Sequence, residues 1–440
     1  MSANSTDAGT LSGVSSAARP QWTPDSRELD DLELLGMGLL APHTGFGRPD
    51  GNHAVLTLTV DASIAEQALA AGTLDLLDPE GLTLATVSVT DTYPIDDQTA
   101  GVVADVGDVA AREHGPFRRY HLPPPSLHAY DPAATMAVVV RRPLTTRDLE
   151  DIREAAQGRR VLLLAFAGTG SPQGVTAPAL VRSALAAAKA LDAAVVAVSA
   201  ADHGDPVADD FVERSVATSY ASETLRLGTP RGELPADIAG IVARDQPPPE
   251  DRGLVLFFTG LSGSGKSTLA RAVLDELLER GDRTVTSLDG DVVRHLLSRG
   301  LGFSREDRET NIVRIGFVAS EIARHGGVAI CSPIAPFAAT RARVRAMTGQ
   351  VGGEFVLIYV STPLEECERR DRKGLYARAR AGLIPDFTGI SSPYEEPSDA
   401  HLVIDTSNRT IADCADEIMA YLTEQGWLSR DPSPHGNDEQ

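Results

Sequence analysis

Read from the N-terminus, the chain changes its hydrophobic period twice. Residues 1–24 are rich in Ser, Ala, Thr and Gly with little apolar periodicity, which predicts a flexible leader. From Leu32 to about Tyr130 the apolar positions come in short alternating runs, among them Val55–Val60 and Leu84–Val89, as half-buried strands require. Asp78-Pro79-Glu80-Gly81 between runs is a turn signal. A small, mainly β domain is expected over residues 25–130. The runs then lengthen and stop alternating. Met136–Val140, Val161–Phe166 and Ala194–Val198 suit buried strands, and Thr146–Gln157 and Ala177–Leu191 have helical spacing. Such alternation predicts an α/β domain with a parallel sheet over 131–240. Asp245-Gln246-Pro247-Pro248-Pro249-Glu250-Asp251 cannot continue a helix, because proline has no N–H to donate, so a linker is expected over 241–252. A second α/β domain, doubly wound on a parallel sheet, is expected over 253–428. The polar residues 429–440 read as a flexible tail. No internal repeat is visible.

Composition narrows the function classes. The 440 residues are enough for two to four domains at roughly 100–200 each. No run approaches the roughly 18 apolar residues of a spanning helix, and no signal peptide is visible. The net charge of −22, with no basic patch, argues against nucleic acid as a main partner. A site for an anionic ligand must therefore concentrate its own arginines, lysines and backbone N–H groups. Cys331, Cys367 and Cys414 are far apart without metal or disulfide spacing, and a reducing cytoplasm fits them. His43, His121 and His128 show no metal spacing and read as structural or exposed.

One segment meets the charge requirement. The apolar run Leu254–Phe258 leads into Gly260, Leu261, Ser262, Gly263, Ser264, Gly265, Lys266, Ser267 and Thr268, a complete G-x-x-x-x-G-K-[ST] loop. Helical periodicity follows from Thr268 to Arg280 and stops at Gly281. Glycines let backbone N–H groups face phosphates, and the helix N-terminus adds positive potential. Lys266 then reaches the β- and γ-phosphates of ATP, and the Ser267 hydroxyl ligates Mg²⁺. A chance glycine-rich turn would not be flanked by strand and helix in this order.

The strand Thr284–Leu288 ends in Asp289-Gly290-Asp291, at the strand end where open α/β sheets place ligands. A carboxylate there can hold Mg²⁺ through water or accept a proton from an attacking hydroxyl. Asp289 is the leading candidate, with Asp291 beside it. Aspartate and glycine are also ordinary turn residues, so both readings stay open from this segment alone. Arg294 follows one turn later. Ser304 and Asp307 stand in capping-box spacing, and Arg308 and Asn311 share a helix face. Phe303 could stack on a purine and the two arginines could fork onto an anion; a core phenylalanine with surface arginines is the plain alternative.

The succession of these blocks resembles adenylylsulfate kinase. The shared features are GLSGSGKST at 260–268, LDGD with Arg294, LGFS-x-x-DR-x-x-NI-x-RIG from Leu301 to Gly316, Asp371–Tyr376, Ala377–Gly382, Phe387–Ile390 and Pro393–Glu395. The resemblance spans about 175 residues. It implies transfer of the γ-phosphoryl group of MgATP to the ribose 3′-hydroxyl of adenosine 5′-phosphosulfate, giving 3′-phosphoadenylyl sulfate and ADP. It implies that Phe303 and Phe387 sandwich the acceptor adenine. Arg294, Arg308, Asn311 and Lys373 are then expected to bind phosphosulfate and ribose, with Asp289 and Ile334 also touching the acceptor. Arg369–Pro397 becomes a lid, and a homodimer is expected. Two positions depart from the family: Ala335 replaces its usual serine, so no phosphoserine can form there, and Asp386 replaces a frequent glycine. Direct in-line transfer needs neither group.

The first 250 residues resemble a shortened ATP sulfurylase. Asp31–Leu35 and Gly38–Phe46 look like its opening, a PUA-like β-rich domain, and Ser222–Arg226 with Gly232–Pro235 resembles the end of its catalytic domain. Its Gln-x-Arg-Asn-Pro segment with two histidines aligns with Val140–Asp148, where Thr145 and Asp148 replace both histidines. This region is therefore expected not to adenylate sulfate; docking of a sulfurylase subunit is a natural role. Gly168–Gly174 lies between a strand and a helix without matching G-x-G-x-x-G, and is either a residual anion site or an ordinary connection. The remaining rivals are a P-loop kinase for another small hydroxyl compound, a bifunctional sulfurylase/kinase, and a nucleotide switch, which lacks any Asn-Lys-x-Asp motif.

Overall fold

The computed structural model describes residues 19–49, 56–112, 115–127, 131–288, 290–302, 304–371 and 373–429. Most of the expected leader, nearly all of the tail, and Val55, His128, Asp289, Phe303 and Arg372 lie outside them. The side chain of Asp291 is also not described. Two compact units divide the chain, Met1–Gln246 and Pro247–Gln440.

The first unit begins with β1 (Gln21–Trp22) and α1 (Ser26–Gly36), followed by β2 (Gly45–Phe46), β3 (Leu58–Asp61), α2 (Ala62–Ala71), β4 (Thr73–Leu77), β5 (Thr83–Pro94) and β6 (Thr99–Val109). The strands form a mostly antiparallel sheet in the order β1-β4-β5-β6-β2, with β3 also on β6. The alternation at 84–89 falls inside β5, whereas of the described residues of the run 55–60 only Leu58–Val60 are strand. Next come β7 (Thr135–Val140), α3 (Thr146–Ala156), β8 (Arg160–Phe166), α4 (Ala177–Leu191), β9 (Ala194–Val198), α5 (Pro206–Tyr220), β10 (Glu223–Arg226) and α6 (Ala236–Asp245). Their sheet is parallel throughout, in the order β10-β7-β8-β9. One apolar core runs from Leu32, Phe46, Val87 and Val102 of the first sheet layer to Leu164, Phe166, Val198 and Tyr220 of the second. Residues 241–245, expected as linker, are the last turn of α6. The break comes at Gln246, where the prolines begin, and Pro249–Asp251 make a single 3₁₀ turn.

The second unit contains β11 (Leu254–Thr259), α7 (Lys266–Arg280), β12 (Val285–Leu288), α8 (Gly290–Leu296), α9 (Arg305–Arg324), β13 (Val328–Cys331), α10 (Ala338–Gln350), β14 (Glu354–Val360), α11 (Leu364–Arg370), α12 (Leu375–Arg380), β15 (Leu402–Ile404) and α13 (Ile411–Glu424). All five strands are parallel, in the order β12-β13-β11-β14-β15. The sheet is apolar on both faces, as helices on both sides require. Leu254, Leu256 and Phe258 face α7 and α13, while Val255 and Phe257 face the α9 side. Every residue of β11 is buried, so it is the central support of whatever its carboxyl end carries.

Candidate functional site: a phosphate loop and the segment Asp386–Ser392

The phosphate loop leaves β11 at Gly260. Its φ is +145°, and a Cβ there would lie 2.4 Å from the Val360 carbonyl oxygen. Gly263 and Gly265 have φ of +76° and +100°, a region that strains any other residue. α7 starts at Lys266, two residues earlier than the apolar period suggested, because Gly265 turns the backbone directly into the helix. The first N–H groups of α7 therefore open into the loop. Lys266 is only 6% exposed, and burial lowers its ammonium pKa to about 8. Its Nζ donates to the Leu261 carbonyl at 2.7 Å. Ser267 and Thr268 are exposed at the helix start.

The loop is held from beneath by residues that sequence reasoning missed. The hydroxyls of Thr362, after β14, and Thr406, after β15, both donate to the Ser264 carbonyl, at 2.9 and 3.0 Å. Arg370 donates to Thr406 Oγ1 at 2.8 Å and its carbonyl at 3.1 Å, and to Glu366 Oε1 at 2.8 Å. Tyr376 donates to the Ser262 carbonyl at 2.8 Å. Their common signal is position: each lies beyond the carboxyl end of β14 or β15, or on the helices that follow β14.

Tyr376 also leads toward the residues expected to bind the acceptor. Its ring meets Phe387 edge-on, centroids 5.1 Å apart. Arg308, on the first turn of α9, donates to the Asp386 carbonyl at 3.1 Å, Thr388 Oγ1 at 3.0 Å and Ser392 Oγ at 3.3 Å. Asp386 has φ of +52°, which explains a glycine preference at this position; aspartate is one of the few side chains that tolerate it. Asn311, one turn on, is 5% exposed with an Oδ1 that has no partner among the described residues. Ile334 is half-buried, and its carbonyl accepts from Thr259 Oγ1 at 2.6 Å. Arg294 donates to the Gly302 carbonyl at 3.3 Å, and Lys373 is exposed between α11 and α12. The capping box at Ser304 is half made: Ser304 Oγ accepts from Asp307 N, but the Asp307 carboxylate accepts from Gly302 N instead. That places Asp307 against the segment that Arg294 touches. A pocket of ≈ 540 Å³ beside the loop is lined by Leu261, Tyr359, Thr362, Gly389 and Tyr394 among others.

Among the described residues no cluster of three or more His, Cys, Asp or Glu could hold a metal. A Mg²⁺ ion that arrives on ATP keeps several waters and needs few protein ligands. The exposed Ser267 hydroxyl, at the mouth of a cradle that a Cβ would fill, fits that role.

The first unit carries a second strand–glycine loop–helix connection, at Gly168–Gly174. Here the Asp30 carboxylate of α1 accepts from Thr169 N at 2.8 Å and Thr169 Oγ1 at 2.7 Å. A Cβ on Gly168 would lie 2.3 Å from the Ala200 carbonyl carbon, so this glycine serves a close backbone crossing. In the segment aligned with the sulfurylase signature, Thr145 and Asp148 form a reciprocal capping box for α3. Asp148 also accepts both arms of Arg142, at 2.7 and 3.0 Å. Arg141 pairs with Glu213 at 3.1 Å and lies over the Phe166 ring. His43 packs edge-on against Phe211, and His121 lies beside Glu33.

A buried parallel sheet whose central strand delivers a glycine cradle, a lysine and a helix start defines the second unit as a P-loop phosphotransferase of the small-molecule kinase type. Residues 252–405, within the second unit, match the family described as Adenylylsulphate kinase. Sulfate adenylyltransferase of Neosartorya fischeri is 46% identical over 208 residues, 47% of this chain and 36% of that protein. That of Phaeosphaeria nodorum is 41% identical over 231 residues, 51% and 40% of the two chains. The chain thus spans little more than a third of the length of the curated relatives it matches. The solved hexameric APS kinase from Thiobacillus denitrificans is 28% identical with a TM-score of 0.73, covering 93% of this chain and 94% of that one, so the likeness reaches both units. The APS kinase of Mycobacterium tuberculosis, solved with AMPPNP and APS, is 45% identical over 39% of this chain and 98% of its own, with a TM-score of 0.38. Among the described residues no helix is long and apolar enough to cross a membrane.

Proposed function

We propose that the chain is an adenylylsulfate kinase that moves the γ-phosphoryl group of ATP to the ribose 3′-hydroxyl of adenosine 5′-phosphosulfate. The observation that carries this reading is the single path from Tyr376, bonded to the phosphate loop, to Phe387 and the Arg308–Asn311 helix face. A phosphate cradle and an aromatic, cationic acceptor surface are joined through one side chain.

In this reading the loop N–H groups and Lys266 hold the β- and γ-phosphates, and the ammonium regains its full charge beside them. Ser267 would hold the Mg²⁺ that arrives on ATP, which would supply charge neutralisation at the transferring group. Arg308, with Arg294 and Lys373, binds the phosphosulfate, and Asn311 offers its unpartnered carbonyl oxygen to the nucleotide. Phe387 takes one face of the adenine and Phe303 the other. Asp289, with Asp291 beside it, accepts the proton of the attacking hydroxyl. The segment Arg369–Pro397 closes over both substrates and excludes water. Nothing in this scheme needs a hydroxyl at Ala335.

The first unit, a PUA-like sheet followed by a reduced sulfurylase-like α/β layer, is inactive in sulfate adenylation, because Thr145, Asp148 and Arg142 are engaged in capping α3. Its role is docking, with an ATP sulfurylase as the partner that would supply the substrate. The enzyme works in the cytoplasm as a homo-oligomer. The test is chromatography of products from the purified chain with MgATP and adenosine 5′-phosphosulfate, beside gluconate and other small hydroxyl acceptors. Formation of 3′-phosphoadenylyl sulfate, absent in Lys266→Ala, supports the reading; phosphorylation of a different acceptor alone replaces it.

A further inference from the structure

Behind the acceptor side lies a buried cation that the proposed chemistry leaves unused. Arg341, near the start of α10, is 3% exposed. Its Nη1 donates to the Ala335 carbonyl at 2.9 Å and its Nη2 to the Glu395 carbonyl at 2.8 Å, while Nε has no partner among the described residues. Arg345, one turn later, instead pairs with Asp399 at 2.6 Å. A guanidinium withdrawn from water onto two carbonyls is costly. Its fixed fork is well suited to clamping two segments at once.

The two carbonyls belong to different segments. One is the turn Pro333–Phe337, which carries Ile334 and holds Ala335 at a left-handed φ of +44°. The other is Pro393–Glu395, at the end of the lid. The same pair is stitched further: Glu395 N donates to the Pro336 carbonyl at 2.9 Å, and Ala338 N donates to Glu395 Oε2 at 2.7 Å. Thr259 closes β11 one residue before the phosphate loop. Its single hydroxyl proton goes to the Ile334 carbonyl at 2.6 Å, so the Tyr394 hydroxyl is the donor in their 2.9 Å contact. Burial pushes the Tyr394 phenol up to about 12, which keeps that proton in place.

We infer that Arg341 is a positioning residue for the acceptor: its fork clamps the Ile334–Ala335 turn to the Tyr394–Glu395 strip, and Thr259 registers both against the phosphate loop. This rests on the adenylylsulfate kinase reading for the identity of the acceptor, not for the clamp. Loss of the fork loosens the acceptor turn and leaves the ATP cradle, which hangs on Thr362, Thr406 and Arg370, as it was.

The test compares Arg341→Ala, Arg341→Lys and Tyr394→Phe with the full-length chain, by kinetics and by hydrogen exchange of peptides covering 333–338 and 391–396. Arg341→Ala is expected to raise KM for adenosine 5′-phosphosulfate about tenfold or more and KM for ATP by less than about twofold. Added guanidinium should recover part of the loss. Lysine, which has no planar fork, should keep most of the defect, and Tyr394→Phe, the mildest change, should show the same split at about threefold. Exchange should quicken in both segments together. Equal rises in the two KM values, or unchanged exchange in either segment, would overturn the clamp. A chain that makes no product, yet whose Arg341→Ala variant exchanges faster in both segments, would sink the substrate and leave the clamp standing.

Discussion

The two units each carry a glycine-rich loop between a buried parallel strand and a helix, and they use it oppositely. At Gly260–Thr268 the loop's carbonyls are tied down from below, its helix starts at a lysine, and Ser267 and Thr268 stand open. At Gly168–Gly174 the chain supplies its own anion: Asp30 takes both Thr169 donors, and Arg112 approaches Asp30 at 3.3 Å. A strand–loop–helix shape is therefore not yet a phosphate site. What matters is whether the donors are left for a ligand or already satisfied by the fold. Asp30 is one of four acids on α1, with Glu28, Asp31 and Glu33, that are all at most 7% exposed and engaged by the fold.

Removing Lys266 should have the largest effect. Lys266→Ala is expected to lower kcat/KM by about a thousandfold or more, since in the proposed function it holds the transferring phosphate; steady-state kinetics measures it, and a loss below tenfold would dissolve the contrast between the loops. Next in size, Asp30→Ala orphans the Thr169 donors and leaves Arg112 only its 3.5 Å contact with Glu33, and should cost the first unit about 3 kcal/mol in urea unfolding. If the comparison holds, the double variant Asp30→Ala with Lys266→Ala still binds no ATP in equilibrium dialysis. Binding there would mean that α1 merely hides a working nucleotide site.

The acids of α1 also set a pH dependence. Burial raises the Glu33 pKa, but hydrogen bonds from His121 and Arg118 outweigh it and hold it at about 2. That stabilisation is present above the usual carboxylate range and is lost as pH falls toward 2. Burial lowers the His203 pKa, but Asp31 and Asp209, each 3.0 Å away, raise it overall. That contribution is complete below about 6.5 and is lost as pH rises through the raised value. Glu28 and Asp30, raised by burial, act in the same direction. The urea midpoint of the first unit should therefore be higher at pH 5.5 than at 8.5, and His203→Gln should flatten that slope. The smallest expected change is Ala335→Gly, which relieves a left-handed residue and should stabilise the second unit by about 1 kcal/mol; a loss of stability in thermal melts would mean the turn is not strained.

Much of this was legible in sequence because it is local. The phosphate loop is one uninterrupted string, and the inner strands β7, β8, β9 and β11 are apolar runs bounded by turns, whereas β10 (ETLR) and β12 (VTSL) are not. The supports were not legible, since Thr362, Arg370, Tyr376 and Thr406 reach the loop from about a hundred residues or more away and belong to no short pattern. α1 was missed for another reason. Asp25 and Glu28 form a capping box that only geometry reveals as such, and four carboxylates on eleven residues give no hint of burial until Arg112, Arg118 and His203 arrive from elsewhere in the chain. Asp386 was legible as a departure, but its left-handed backbone, which accounts for the glycine usual there, was not.

The central claim is that one loop works and the other is filled. The most direct measurement gives the purified chain MgATP with either inorganic sulfate, plus pyrophosphatase, or adenosine 5′-phosphosulfate, and follows both nucleotides by chromatography. The account predicts 3′-phosphoadenylyl sulfate from adenosine 5′-phosphosulfate and no adenylated product from sulfate. Adenosine 5′-phosphosulfate or its 3′-phosphate formed from sulfate and ATP alone would show that the first unit is a working sulfurylase, and would contradict it.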